Sequence, residues 1–309
     1  MEQKNRRVFQ NGFHLLCILC FQFTLIFWPA GSHANMDKLK IFTVNYPLQY
    51  FAERIAGSHA EVVFPAPTDV DPAYWMPDAR TIAHYQKADL IFLNGAHYAK
   101  WVDKVSLPAS KTIDTSRKFK DQYIYSTEAT THSHGSEGAH AHESLAFTLW
   151  LDLNLAVQQA KAIEKALIRK RPTLKDTFEN NFMILKKDLM ALDRELKKIA
   201  ARIQNQPLVG SHPVYDYLAK RYALNLKSVH WEPDETPTFQ QWQNLKRMLT
   251  YHPAKWMVWE SAPDKLLAAR LKMMEFKSIV FDPCGNAPNR GDFLTVMEQN
   301  IRNLRSAFQ

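Results

Sequence analysis

The stretch from Thr173 to Ile203 limits the fold more than any other part of the chain. Its apolar residues Leu174, Phe178, Phe182, Leu185, Leu189, Leu192, Leu196, Ile199 and Ile203 step by threes and fours past the first turn. That spacing draws one apolar stripe down a helix whose other faces are Lys, Arg, Asp and Glu. Pro172 stands where a helix can begin and Pro207 just past its end. At about 1.5 Å per residue the run is roughly 45 Å long, more than the width of a small domain. The run holds no Gly or Pro, so a straight, stiff rod is expected. Either it is an ordinary bundle helix or it is a strut joining two lobes.

The flanking segments favour the strut. Before it, strand-like runs at Lys40–Val44, Glu61–Phe64 and Ala88–Leu93 alternate with helical spacing at Leu48–Ala56, Ala79–Lys87 and Tyr98–Lys104. After it, strand-like runs at Pro207–Gly210, Leu226–Trp231, Trp256–Trp259 and Ser278–Phe281 alternate with helical spacing at Tyr215–Tyr222, Phe239–Tyr251 and Asp264–Met274. A last helix is expected over Phe293–Phe308. Strand and helix alternating at this spacing indicate βαβ units and parallel sheets. The expectation is an α/β protein of two lobes with parallel-type sheets, joined by one long rigid helix. An N-terminal lobe over 35–172, the linking helix over 173–203 and a C-terminal lobe over 204–309 make up that plan. The 309 residues of the chain suffice for two such lobes.

Residues 1–34 read as a secretory signal. Lys4, Arg6 and Arg7 precede an apolar core from Phe13 to Trp28, and Ser32-His33-Ala34 offers a small-residue cleavage site. An uncleaved membrane anchor is the other reading of that core, but the run is short for a span. Cys17 and Cys20 fall inside it behind Leu16 and Leu19, which do not suit a lipid-attachment site, so a secreted soluble form is expected. Only Cys284 remains beyond the segment, so no internal disulfide can form. Cys284 is read as a small buried hydrophobe or as a neighbour of the functional site. The formal net charge of +8 is spread along the chain without a basic cluster interleaved with aromatics, which argues against nucleic acid.

Ligands of parallel α/β sheets sit beyond the carboxyl ends of the strands. That rule selects His212, His230, Glu260 and Asp282, each at the end of a C-terminal strand-like run, and predicts that they gather at one edge. Such a set makes a metal site or an acid/base site. The polar segment 126–146 reads as a loop. Within it, residues 131–143 carry His132-Ser-His134 and His140-Ala-His142. An H-x-H pair in extended chain turns both rings to one face, and imidazoles suit zinc. A merely polar loop that happens to be His-rich is the alternative. His59, His84, His97 and His252 stand alone and read as surface or hydrogen-bonded histidines. No H-E-x-x-H, G-x-S-x-G or Gly-rich phosphate loop is present. A hydrolase with Glu260 or Glu235 as base is the remaining enzymatic reading.

Several segments in order resemble the solute-binding proteins of metal-ion ABC importers, the periplasmic zinc and manganese binders. KIFTVNYPLQYFAERIAGSHAEV resembles their first strand and helix, and DARTIAHYQKADLIFLNGAHYAKWV their third-strand region. The His-rich loop followed by FTLWLDLNLAVQQAKAIEKAL is placed as in zinc-binding members. SHPVYDYLAKRYAL and VFDPCGN resemble the segments bearing the third and fourth metal ligands. The resemblance covers essentially the whole chain past residue 34. It implies two α/β lobes joined by a long helix, with the metal between them.

Carried over, the third and fourth ligands are His212 and Asp282. The first two do not carry over: Ala73 and Thr148 occupy those positions. His140 and His142 precede the second vacant position, so the ligand set expected is His140, His142, His212 and Asp282, with Asp71, Glu260 and His230 in reserve. The resemblance implies a monomeric, periplasmic, non-enzymatic receptor that captures Zn2+, or less readily Mn2+, and hands it to an ABC permease. A zinc chaperone or buffer without a transporter is the alternative, and the His-rich loop could serve as a scavenger or sensor rather than as part of the site.

Overall fold

The computed structural model describes residues 37–126 and 144–308. From Asp37 onward the chain forms one unit. The segment read as a signal, residues 1–34, lies outside the described residues, as do His132, His134, His140 and His142.

The first lobe is a four-stranded sheet in the order β2-β1-β3-β4, from β1 (Leu39–Thr43), β2 (Ala60–Val63), β3 (Leu90–Leu93) and β4 (Thr112–Asp114). All pairings are parallel, with Leu39 opposite Ala60, Ile41 opposite Leu90 and Ile91 opposite Thr112. Helices α1 (Tyr46–Ala56) and α2 (Ala79–Lys87) connect the strands. The α1 start follows from its sequence. Asn45 is extended, its side chain accepts the Leu48 amide at 3.1 Å, and Pro47 fills the first turn, where no partner for its nitrogen is needed. The expected helix over Tyr98–Lys104 is a 3-10 turn at Lys100–Lys104.

Two short pieces were not legible in the pattern. One is β4. The other is a two-stranded antiparallel ribbon, β5 (Tyr125–Ser126) with β6 (Ser144–Leu145), which ties together the two ends of the segment read as a plain loop. The stretch from Leu149 to Arg171 is also divided. A 3-10 turn at Leu149–Leu151 leads to Asp152, whose carboxylate caps the Asn154 and Leu155 amides, and α3 runs Leu153–Lys170.

The strut is α4, Lys175–Ile203, preceded by a 3-10 turn at Pro172–Leu174. Every stripe residue from Phe178 to Ile203 is buried, and only Leu174 at the entry is partly open. The stripe packs on α1 and α3 of the first lobe, and on α5 (Asp216–Tyr222) and α8 (Phe293–Ala307) of the second half. One apolar core therefore runs from β1 to α8, and Phe293 sets its ring 5.4 Å from Phe51 and 5.8 Å from Tyr50. A buried ion cluster fixes the strut to the second lobe. Asp193 receives Arg221 from α5 at 3.0 and 3.2 Å and the Tyr222 hydroxyl at 3.2 Å.

The second lobe repeats the architecture. Its parallel sheet has the order β10-β9-β7-β8, from β7 (Leu208–Gly210), β8 (Leu226–Ser228), β9 (Trp256–Trp259) and β10 (Lys277–Val280). Helices α6 (Phe239–Tyr251) and α7 (Lys265–Met273) complete it. Thr238 and Gln241 form a reciprocal capping box at the start of α6. A separate core of Trp231, Trp242, Met257, Trp259 and their neighbours fills the far side of this sheet.

Hydrogen bonds cross between the lobes near the strand ends. Tyr46 N donates to Gly285 O at 3.1 Å, Trp150 Nε1 to Pro283 O at 2.6 Å, and Asn286 Nδ2 to Pro67 O and Val70 O at 2.7 and 2.9 Å. Among the described residues, no helix is long and apolar enough to cross a membrane.

Candidate metal centre

The carboxyl ends of β7, β9 and β10, and the loop after β8, deliver His212, Glu260, Asp282 and His230 to one edge, as the strand-end rule requires. β7 runs out at Gly210, where a Cβ would crowd Ser228 Oγ and the Tyr215 ring. Ser211 N then bonds Val258 O at 2.8 Å and Trp231 N bonds Ser211 O at 2.7 Å, so the loops after β7 and β8 are laced together. This holds His212 with its ring 5.8 Å from that of His230, perpendicular to it.

His212 is the hub. Its Nδ1 lies 3.4 Å from Glu260 Oε1 and its Nε2 lies 3.6 Å from Glu232 Oε1. Its side chain is only 20% exposed. Burial lifts the Glu260 carboxyl to about 8, with further increments from Glu232, Asp71 and Asp282, all of them carboxylates. Asp282 is pushed up by burial, against the Cys284 amide that donates to its Oδ1 at 2.6 Å. Its own backbone is held by Asn300 of α8 through bonds of 2.9 and 2.7 Å.

The first lobe contributes Asp71, whose Oδ1 caps the Ala73 amide at 2.8 Å. Burial raises the Tyr98 phenol, with Asp71 and Glu260 both adding to it, so these carboxylates from opposite lobes share one neighbourhood. Lys100 stands near Asp71; burial lowers its ammonium while Asp103 and Asp71 oppose that change. Two imidazoles and four carboxylates thus converge, with the Lys100 ammonium beside Asp71.

The two vacant positions are vacant in chemistry as well. Ala73 is fully buried and has no donor atom. The Thr148 hydroxyl donates to Val214 O at 2.5 Å, so it ties the lobes together. Cys284 is 2% exposed and behaves as a small core residue, its thiol pushed up by burial. His252 is buried with its Nε2 2.8 Å from Leu208 O, and His97 is an exposed partner of Asp103 at 3.1 Å. Glu235 is exposed on the loop before α6. Among the described residues no three His, Cys, Asp or Glu side chains already close around a common point. The set is assembled but open.

Sequence reasoning missed Glu232. The strand was expected to run through Trp231 but stops at Ser228, which turns the following residues into a loop that brings His230 and Glu232 to the same edge. The H-W-E order, two polar side chains flanking a buried Trp, was the available signal.

Residues 41–307 match the family model described as zinc-uptake complex component A, periplasmic. The zinc-binding lipoprotein AdcA of Streptococcus pneumoniae is 26% identical over 310 residues, which cover 94% of this chain and 60% of that protein. This chain therefore spans about three-fifths of that relative's length. The high-affinity zinc uptake system protein ZnuA of Bacillus subtilis is 27% identical over 295 residues, covering 90% of each. Among solved structures, the metal-dependent lipoprotein YcdH of B. subtilis aligns with a TM-score of 0.74 at 21% identity, over 87% of this chain and 98% of that one.

Proposed function

Because this chain belongs to the periplasmic zinc-uptake complex component A family, we propose that it is a solute-binding protein that captures Zn2+ outside the cytoplasmic membrane and delivers it to an ABC permease. The observation that carries this reading is the convergence of His212 and His230 with Glu232, Glu260, Asp71 and Asp282, where the charges raising Glu260 are all carboxylates. Carboxylates gathered beside imidazoles in a half-buried cleft suit a divalent cation, and the imidazole share favours zinc over manganese. The zinc-binding names of AdcA and ZnuA point the same way.

In this reading His212 and Asp282 are ligands, joined by His140 and His142 from beyond β5. Glu260 and Glu232 stand by as carboxylates that move toward the ion. Zinc bonds to nitrogen and oxygen are about 2.0–2.2 Å long, so the 3.4 and 3.6 Å approaches to His212 must give way to bonds from each group to the ion. The protein binds and releases its cargo and does no chemistry on it. It is exported by removal of residues 1–34 and acts as a monomer.

Calorimetric titration with zinc and with manganese, beside a variant lacking residues 132–142, tests this. One-to-one zinc binding tighter than manganese binding is expected, weakened at least tenfold in the variant. Undiminished zinc binding in the variant would remove His140 and His142 from the set and leave Glu260 and His230 as the donors. Absence of zinc binding in both would end the receptor reading.

A further inference from the structure

A second cavity lies in the first lobe, apart from the metal cleft, at the open edge of the sheet. β4 is the outermost strand and only three residues long. The 3-10 turn after β3 and helix α3 stand on either side of it and leave a recess of about 700 Å³. Its floor is aliphatic, made by Val102, Val105, Leu107 and Ile113, each only partly buried.

The rim is cationic. Arg117 and Lys118 follow β4, and Lys161, Lys165 and Arg169 come from successive turns of α3. Lys161 is matched by the buried Glu164 at 2.6 Å, and Asp114, the one acid of the lining, by Lys120 at 3.3 Å. Among the described residues, Arg117, Lys118, Lys165 and Arg169 have no acidic partner. Repulsion from Lys118 lowers the Lys165 ammonium below its usual range. Cationic side chains around the mouth of an apolar recess form an anion seat joined to a hydrocarbon floor.

We propose that this cavity binds a single-chain amphiphilic anion, an aliphatic tail ending in a carboxylate or phosphate, with the tail on the Val102–Ile113 floor and the head at the rim that carries Arg117, Lys118, Lys165 and Arg169. The volume is in the range of small-molecule sites, roughly 300–1,000 Å³. A concave recess admits one free chain, whereas a bilayer surface presents many heads to a convex or flat face. Nothing in the metal reading requires this cavity, so the two stand or fall separately.

The test is fluorescence displacement on the full chain with dodecanoate, dodecyl phosphate and dodecanol, each below its micellar concentration, and with vesicles of anionic phospholipid. Saturable one-to-one binding of dodecanoate or dodecyl phosphate is expected, and the tighter of the two identifies the head group. Dodecanol should bind at least tenfold more weakly. The double variant Lys118→Glu with Lys165→Glu, both at exposed positions, should weaken anion binding at least tenfold and leave zinc affinity unchanged, which also shows that it folds. Equal binding of dodecanol, equal anion binding by the double variant, or binding only to the vesicles would each overturn the proposal.

Discussion

His212→Ala is expected to lower zinc affinity by roughly a hundredfold or more, about 2.8 kcal/mol at 1.4 kcal/mol per decade. The size follows from the position of the ring. Its Nδ1 lies 3.4 Å from Glu260 Oε1 and its Nε2 3.6 Å from Glu232 Oε1, so a carboxylate stands on either side of the ring. Removing it deletes a neutral nitrogen donor and leaves the carboxylates to face one another across the gap. The fold should survive, because His212 lies beyond β7 and outside both apolar cores. Competition against a chromophoric zinc chelator measures the change, with thermal melting as the control. An affinity within threefold of the parent would mean that the ion sits elsewhere.

Asp193→Ala is expected to destabilise the protein by roughly 3 kcal/mol at neutral pH. Breaking a buried ion pair by removing one partner costs about 3–5 kcal/mol. The lower end applies because Arg221 keeps Asp152 at 3.4 Å and Lys197 reaches water. Burial by itself would raise the Asp193 carboxyl, but hydrogen bonds from Arg221 and Lys197 overcome it and hold the group below the usual carboxylate range. Asp152, sharing the same guanidinium, is instead raised by its burial, in keeping with the shorter two-bond contact between Arg221 and Asp193.

The sign for pH follows. A carboxyl lowered in the folded state contributes its full stability above its unfolded value near 4 and loses it as the pH falls through the folded value. The parent and the variant should therefore differ by the full amount at pH 7 and converge at acid pH. Urea unfolding at pH 7 and in acid reads both halves. A constant difference across that range would show that packing around residue 193, and not its charge, holds the strut to α5.

The strut was plain in the sequence because a long amphipathic helix repeats its signal many times. The stripe residues Phe178, Phe182, Leu185, Leu189, Leu192, Leu196, Ile199 and Ile203 are all buried where the spacing put them. The sheets were plain too, since each longer strand is a nearly continuous apolar run between turns, as expected of parallel strands covered on both faces. What escaped was short. β4 has three residues and the β5–β6 ribbon has two per strand, so neither shows a period, and both exist through their partners alone.

The rule that ligands lie beyond strand ends selected His212, Glu260, Asp282 and His230, and the structure brings these four to one edge. It missed Glu232 because β8 ends at Ser228, before the apolar run does. There Val229 and Trp231 are buried by the second core and not by the sheet ladder, a distinction that no local pattern carries.

One zinc ion is expected in the cleft at His212. Crystals of the protein grown with one equivalent of zinc, measured on both sides of the zinc absorption edge, test it most directly. A single anomalous peak within bonding distance of His212 and of a carboxylate from Asp282 or Glu260 is expected. A peak away from His212, or none in the cleft, would contradict it.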